Sequence, residues 1–342
     1  MKRLSIFAIA ALSAAALASC NKQAPVPVPS VGSGDSVEVT VSIKGDVPGT
    51  RVVNPSYDAE SKVNTLQILV YHEGQLETYR NVGAVMSAPV TASSGDKVIW
   101  AVVNAPDLSG CMTISSLESA VSRLSDNAPD SFVMTGSVAR RIVDGDSIEI
   151  LVKRIVARVS INKISTRLVE YRENYYLNVE GIYLINVSAD AKYSVPAEEP
   201  AAWYNRLGHY DSAVDALLYD KVSDVVIRNG SPYESEHVFY PYPNIHPLPG
   251  IVPDYSDVWN PRGSLLVIEA TMYESDGVRS HHGYYPIPLP AIERNKTYVI
   301  DEVCITRLPG DVPYRPIETG EAGVTVTVNE WEVGLNLGTV TI

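Results

Sequence analysis

Six histidines, three cysteines and 40 carboxylates are the groups of this chain with the reactivity for catalysis or metal binding. The histidines are His72, His209, His237, His246, His281 and His282. None falls in an HExxH pattern, where two imidazoles one helical turn apart hold zinc beside a glutamate base, and none pairs with a CxxC. The adjacent His281 and His282 need ligands from elsewhere to hold a metal, because neighbours on a strand point to opposite faces. They read as a solvated loop pair, so no metal site is assigned. No GxSxG elbow, Walker loop or GxGxxG occurs. The carboxylates are scattered, as on a solvated acidic surface, and no acid–base pair stands out among them. The chain reads as a non-enzyme without a cofactor.

Another kind of chemistry is offered by the stretch Gly45 to Asn54, "GDVPGTRVVN", which follows the alternating run "SVEVTVSI". Gly45, Pro48 and Gly49 keep this loop irregular and exposed, the state in which a protease grips a chain, and Arg51 is its one arginine. Position by itself leaves an ordinary surface arginine equally open. The start of the chain is more explicit. Lys2 and Arg3 precede an apolar run to Ala16, and the segment closes on Leu17-Ala18-Ser19-Cys20. This pattern is a secretory signal, too short to span a bilayer. Its ending resembles the lipobox of bacterial lipoproteins, which implies cleavage before Cys20, acylation of that residue and anchoring in a membrane. Each buried methylene of such a lipid contributes about 0.8 kcal/mol. Residues 1–19 are then the signal peptide, and the Pro/Gly/Ser-rich residues 20–35 an extended tether. Cys111 and Cys304 lie far apart in sequence and read as two buried free thiols.

The elements that would position such features are strands almost throughout. "VEVTVSI" places Val37, Val39, Val41 and Ile43 on one face and Glu38, Thr40 and Ser42 on the other. "LQILVYH" and "KVIWAVVN" are continuous apolar runs, as in strands covered on both faces. "RRIVDGDSIEILV" predicts a hairpin turning at Asp144-Gly145. Further strands are expected at "VARVSINKI", "LNVEGIYLINVS", "SLLVIEATMY", "YVIDEVCITRL", "VTVTVNEWEV" and "GTVTI". Two helices are expected, "TISSLESAVSRLSD" with Ser115 or Ser116 as cap, and "SAVDALLYD". The segment "FYPYPNIHPLPGIVPDYSDVWNPRG" is crowded with Pro and Tyr and is expected to be a long surface loop. Its tyrosines suit stacking on sugars, though packing against their own sandwich is the preferred reading. The fold class is mainly β: two β-sandwich domains with a few short helices, residues 52–154 and 155–342, preceded by a first strand and loop at 36–51. A net charge of −13 and the lack of a basic stripe exclude a nucleic-acid partner.

Three stretches resemble the fimbrillin family, the subunits of type V pili of Bacteroidota. They are "SKVNTLQILVYHEGQLETY" with "KVIWAVVNAP", "VKRIVARVSINKI" with "GIYLINVS", and "IERNKTYVIDEVCITRLPGDVPYRPIETGEAGVTVTVNEWEV". The resemblance implies transthyretin-like, Greek-key sandwiches in a structural subunit that serves adhesion at the cell outer membrane. By the same resemblance, a trypsin-like protease cuts after Arg51 and leaves Val52 as the new amino terminus. The strand carrying Val37, Val39, Val41 and Ile43 is then removed, and a strand from another copy or a related subunit takes its groove. Burying those four side chains contributes roughly 1.5–3 kcal/mol each, and each ladder hydrogen bond about 1 kcal/mol net, so an emptied groove favours refilling. The segment from about 320 to 342 offers the donor, with Val324, Val326 and Val328 on one face and Val340 and Ile342 in a second run. Anchor and tip subunits, a surface glycan-binding lipoprotein outside any pilus, and a host glycan or protein as target are the other readings held open.

Overall fold

The computed structural model of the chain describes residues 34–45, 59–194, 200–208, 214–246, 262–315, 327–330 and 339–341. The chain is mainly β, as its period-two runs predict. Strands β1 (Ser36–Gly45), β2 (Leu66–His72), β3 (Gln75–Val82), β4 (Ser87–Ser93), β5 (Gly95–Val103), β6 (Val121–Arg123), β7 (Met134–Ile142) and β8 (Ser147–Arg154) come first, with α1 (Ile114–Ser119) between β5 and β6. All but β6 join in the order β3-β2-β5-β7-β8-β1-β4. The hairpin of β7 and β8 turns at Asp144-Gly145, where Gly145 takes φ +80°, but it pairs only at its open end, Met134 with Arg154 and Thr135 with Lys153. Beyond that point β8 leaves β7 and pairs with β1. The sheet therefore folds into two layers, β3-β2-β5-β7 against β8-β1-β4. Between them lie Val37, Val39, Val41 and Ile43 from β1, Leu66, Ile68 and Val70 from β2, and the inward residues of β4, β5, β7 and β8.

The remaining strands are β9 (Arg158–Thr166), β10 (Tyr176–Ile185), β11 (Val187–Ser188), β12 (Asp190–Lys192), β13 (Trp203–Tyr204), β14 (Tyr219–Ile227), β15 (Tyr233–Phe239), β16 (Leu265–Tyr273), β17 (Ser280–Pro288), β18 (Lys296–Ile300), β19 (Glu302–Ile305), β20 (Thr327–Glu330) and β21 (Thr339–Thr341), with α2 (Asp215–Leu218) before β14. One sheet runs β14-β10-β16-β17; in the other β9 lies between β15 on one side and β18 and β19 on the other. Their facing side chains, including Val159, Ile161, Leu184, Ile268 and Tyr298, form a core continuous with Leu69, Tyr71, Trp100 and Val102 on the back of β2 and β5. β2 and β5 are thus covered on both faces, which is why their sequences are unbroken apolar runs.

Several expectations need correction. The helix expected over 113–126 ends at Ser119, and its cap is Thr113, whose side chain accepts from the Ser116 backbone N–H in a capping box. Beyond it β6 is drawn into antiparallel pairing with β12. "SAVDALLYD" supplies only the four residues of α2 before β14 begins. His281 and His282 sit on β17 rather than in a loop, each placed by a ladder partner, Met272 and Thr271. Cys304 is buried and Cys111 half-buried; neither is in a disulfide.

The Pro/Tyr segment is not a surface loop where it begins: Phe239, Tyr240, Tyr242 and Asn244 are buried. Prolines break regular pairing but not burial, because neighbours satisfy the backbone. Tyr240 N–H donates to Leu217 O (2.9 Å), Ala157 N–H to Pro241 O (2.8 Å) and Asn244 N–H to Ile292 O (2.9 Å). Packing against its own fold, the preferred reading of these tyrosines, holds for this part. The Tyr242 hydroxyl donates to Ser122 Oγ and accepts from Asn127 Nδ2, both at 2.8 Å. Tyr242→Phe is expected to cost about 1–3 kcal/mol, because the buried Asn127 amide loses an acceptor. A urea-midpoint comparison of the two proteins measures it.

Candidate strand-exchange site

The alternating residues of β1 give it one buried edge-on face, and its place in the sheet makes that face consequential. β1 runs antiparallel to β4, with Val39 opposite Val90 and Val41 opposite Ala88. On its other side it runs parallel to β8, with Val41 opposite Ile148 and Ile43 opposite Ile150. It is the middle strand of its layer, joined to neighbours by a ladder on each edge. Thr40 N–H donates to Asp146 O and Ile43 N–H to Met86 O, both at 2.8 Å. The Asp144-Gly145 turn engages it as well, with Glu38 N–H donating to Asp144 Oδ1 and Gly145 N–H to Glu38 O, both at 2.9 Å. Val41 is fully buried and Val39 almost so (0% and 1% exposed). Lifting β1 out would leave an apolar slot with an unpaired strand on either side.

Comparison with known proteins shows what kind of chain carries this slot. No family model matches it. The minor fimbrium subunit Mfa1 of Porphyromonas gingivalis is 24% identical over 193 residues, a match that spans 49% of this chain and 38% of Mfa1. A fimbrilin of the same organism superposes with a TM-score of 0.60 at 16% identity, over 89% of this chain and 96% of its own. A Parabacteroides distasonis protein assigned to cell adhesion gives a TM-score of 0.63 at 16% identity, over 89% of this chain and 99% of its own. The two solved structures share the fold, and Mfa1 adds relationship in sequence. The chain thus has the fold of a fimbrilin, and it spans less than half the length of the fimbrium subunit it matches in sequence.

In this fimbrilin-like fold the four apolar residues read from β1 come together in one core. Cys20, Arg51, Val52, Val324, Val326 and Ile342 lie outside the described residues. Val328 is on β20, opposite Tyr298 of β18, and Val340 on β21, opposite Val303 of β19. Both short strands thus pair with the chain's own second sheet. Among the described residues no pairing joins β1 to β20 or β21, which lie in different sheets.

Two features of the site were not readable from the sequence. β4 has no ladder partner among the described strands except β1. Side chains of β3 hold its other edge. Thr78 Oγ1 donates to Thr91 O (2.7 Å), Arg80 Nη1 donates to Pro89 O, and Glu77 Oε1 accepts from the Ser93 N–H. Lys97 of β5 completes this clasp, donating to Glu77 Oε2 at 2.6 Å and to Ser93 Oγ at 2.7 Å. The second feature is Glu60, downstream of Arg51 and 4% exposed. Its carboxylate accepts from the Tyr240 hydroxyl (2.6 Å) and pairs with Arg158 Nε (3.3 Å), while Arg154 Nε donates to its carbonyl (3.0 Å). Burial and the adjacent Glu60 carboxylate raise the Tyr240 hydroxyl well above its ordinary range. A polar residue in an acidic chain carries no sequence mark of such burial; only the fold brings these partners together.

Proposed function

We propose that this chain is a structural subunit of a cell-surface fimbria that serves adhesion. In this reading it is exported as a lipoprotein held in the outer membrane through Cys20. A trypsin-like protease cuts it after Arg51, and it polymerises by strand exchange. The observation that carries the reading is the position of β1: a middle strand with a continuous buried face, followed directly by the segment that contains Arg51. A cut there detaches β1 from the rest of the chain, while Glu60 keeps the following segment anchored. The β1 slot then takes an alternating strand, and the segment carrying Val324, Val326, Val328, Val340 and Ile342 is the donor. Its pairing with its own sheet spans four register pairs at β20 and three at β21, few enough to be given up for a longer ladder. Donor and slot lie on different parts of the chain, so the contact is head-to-tail and propagates into a filament.

Amino-terminal sequencing with intact-mass measurement of the protein from its native surface tests the proposal. A start at Val52, with ladders of oligomers after mild heating in detergent, is the expected result, and Arg51→Ala is expected to abolish both. A start at acylated Cys20 in a protein that stays monomeric would defeat the polymerising reading and leave an anchor subunit or a lone surface lipoprotein.

A further inference from the structure

On the outer face of the β14-β10-β16-β17 sheet, three strands bring Glu180, Glu269 and His282 together. β10 carries a register shift between Val179 and Gly181. Val179 and Ile182 both enter the core, three positions apart where an unbroken strand would space them by two. The bulge leaves Glu180 on the outer face, where Tyr183 also sits. Glu269 on β16 lies opposite Tyr284 of β17 and Gly181 of β10, and His282 lies opposite Thr271. His282 Nε2 is 3.2 Å from Glu269 Oε1 and 3.6 Å from Glu180 Oε2. One donor atom from each of the three falls within 4.8 Å of the other two.

We propose that this trio is a binding site for a divalent transition metal, with Zn²⁺ the best fit. A tetrahedral zinc with bonds of about 2.0–2.1 Å has ligand–ligand edges of about 3.4 Å, and the two measured contacts bracket that length. Imidazole with carboxylate oxygen is a donor set zinc favours. The oxygen of Glu180 not facing the histidine, Oε1, accepts the Thr271 hydroxyl, which fixes the carboxylate plane as outer partners of metal ligands do. The His282 ring is braced edge-on by Tyr284, centroids 5.7 Å apart. Farther along the same face Leu265, Val267 and Ile185 are fully buried. Charge gives a second, separate reason. Among the described residues the only ion-pair partner of either carboxylate is His282, so with a neutral imidazole the trio carries two uncompensated negative charges. A divalent cation cancels both, and three protein ligands leave one coordination position open to solvent. His281 points to the other face, toward Glu274 at 3.6 Å, and takes no part.

The test is calorimetric titration of the chelator-treated full chain with Zn²⁺ alone at neutral pH. The expected result is one equivalent bound in the wild type, with affinity at least tenfold weaker in His282→Ala and in Glu269→Gln and unchanged in His281→Ala. All three side chains are at least partly exposed, so the variants fold; circular dichroism of each checks this. No binding by the wild type, or binding that survives His282→Ala, would overturn the site.

Discussion

Val41→Asp is expected to destabilise the uncut chain by more than about 4 kcal/mol, enough to drive β1 out of its slot. Val41 is fully buried, and every neighbour in its core is apolar: Val39, Ile43, Ala88, Ile148 and the facing residues of β2 and β5. Among the described residues the buried cation on this face of β5, Lys97, is already held by Glu77 and Ser93, at the end of the slot where Ser93 lies opposite Ser36, so a carboxylate at position 41 must stay charged and unpaired or take up a proton. Either course removes the gain that seats the strand. Thr40→Gln, one residue away on the exposed face, is expected to change stability by no more than about 0.5 kcal/mol. A urea titration of both variants separates these outcomes. Adding a synthetic peptide of residues 36–45 then distinguishes structural importance from exchange. The wild-type peptide should restore the midpoint of the Val41→Asp chain, and the peptide carrying the same substitution should not. If the variant stays compact and no peptide restores it, the slot is not an exchangeable one.

The face that β1 buries was legible because a period of two is local: each residue announces its own side of the strand. The same holds for β2 and β5, whose unbroken apolar runs announce cover on both sides. The helix expected over 113–126 shows where local pattern fails. Leu117 and Leu124 are both fully buried at a helical spacing, yet Val121 between them is half exposed, because pairing with β12 pulls the chain straight after Ser119. A contact made some seventy residues away overrode the local period. Glu60, Glu77, Lys97 and the Glu180–Glu269–His282 trio were illegible for a related reason. Each is an ordinary polar residue in sequence, and its role exists only once distant strands are neighbours. The histidine pair came nearest to legibility, since the need for ligands from elsewhere was evident, but which strands would supply them was not.

Breaking the clasp that holds β4 carries the second large effect. Lys97→Met is expected to cost about 3–5 kcal/mol, because it leaves the Glu77 carboxylate buried without its counter-charge. The Lys97 side chain is 0% exposed and that of Glu77 9%, so water can replace little of the lost interaction. Adding Glu77→Leu to Lys97→Met is expected to recover most of the loss, since an apolar pair needs no compensation. About 1–3 kcal/mol should stay lost, because the Ser93 N–H then has no acceptor. Acid should loosen the same clasp. Burial alone would raise the Glu77 carboxyl, but hydrogen bonds from Lys97 and Ser93 outweigh it and hold the group below its ordinary 4.5. The folded-state value is the lower one, so this contribution is fully present above about pH 4.5 and is lost as pH falls through the folded value. Under the exchange reading the clasp matters most once β1 has gone, when β4 has no ladder left among the described strands and the side chains of Glu77, Thr78, Arg80 and Lys97 keep it in register. Peptide 36–45 should therefore bind the cut Lys97→Met chain more weakly than the cut wild type, beyond what the stability of the uncut proteins accounts for. Equal peptide affinity in the two cut chains would mean that β4 keeps its place without the clasp.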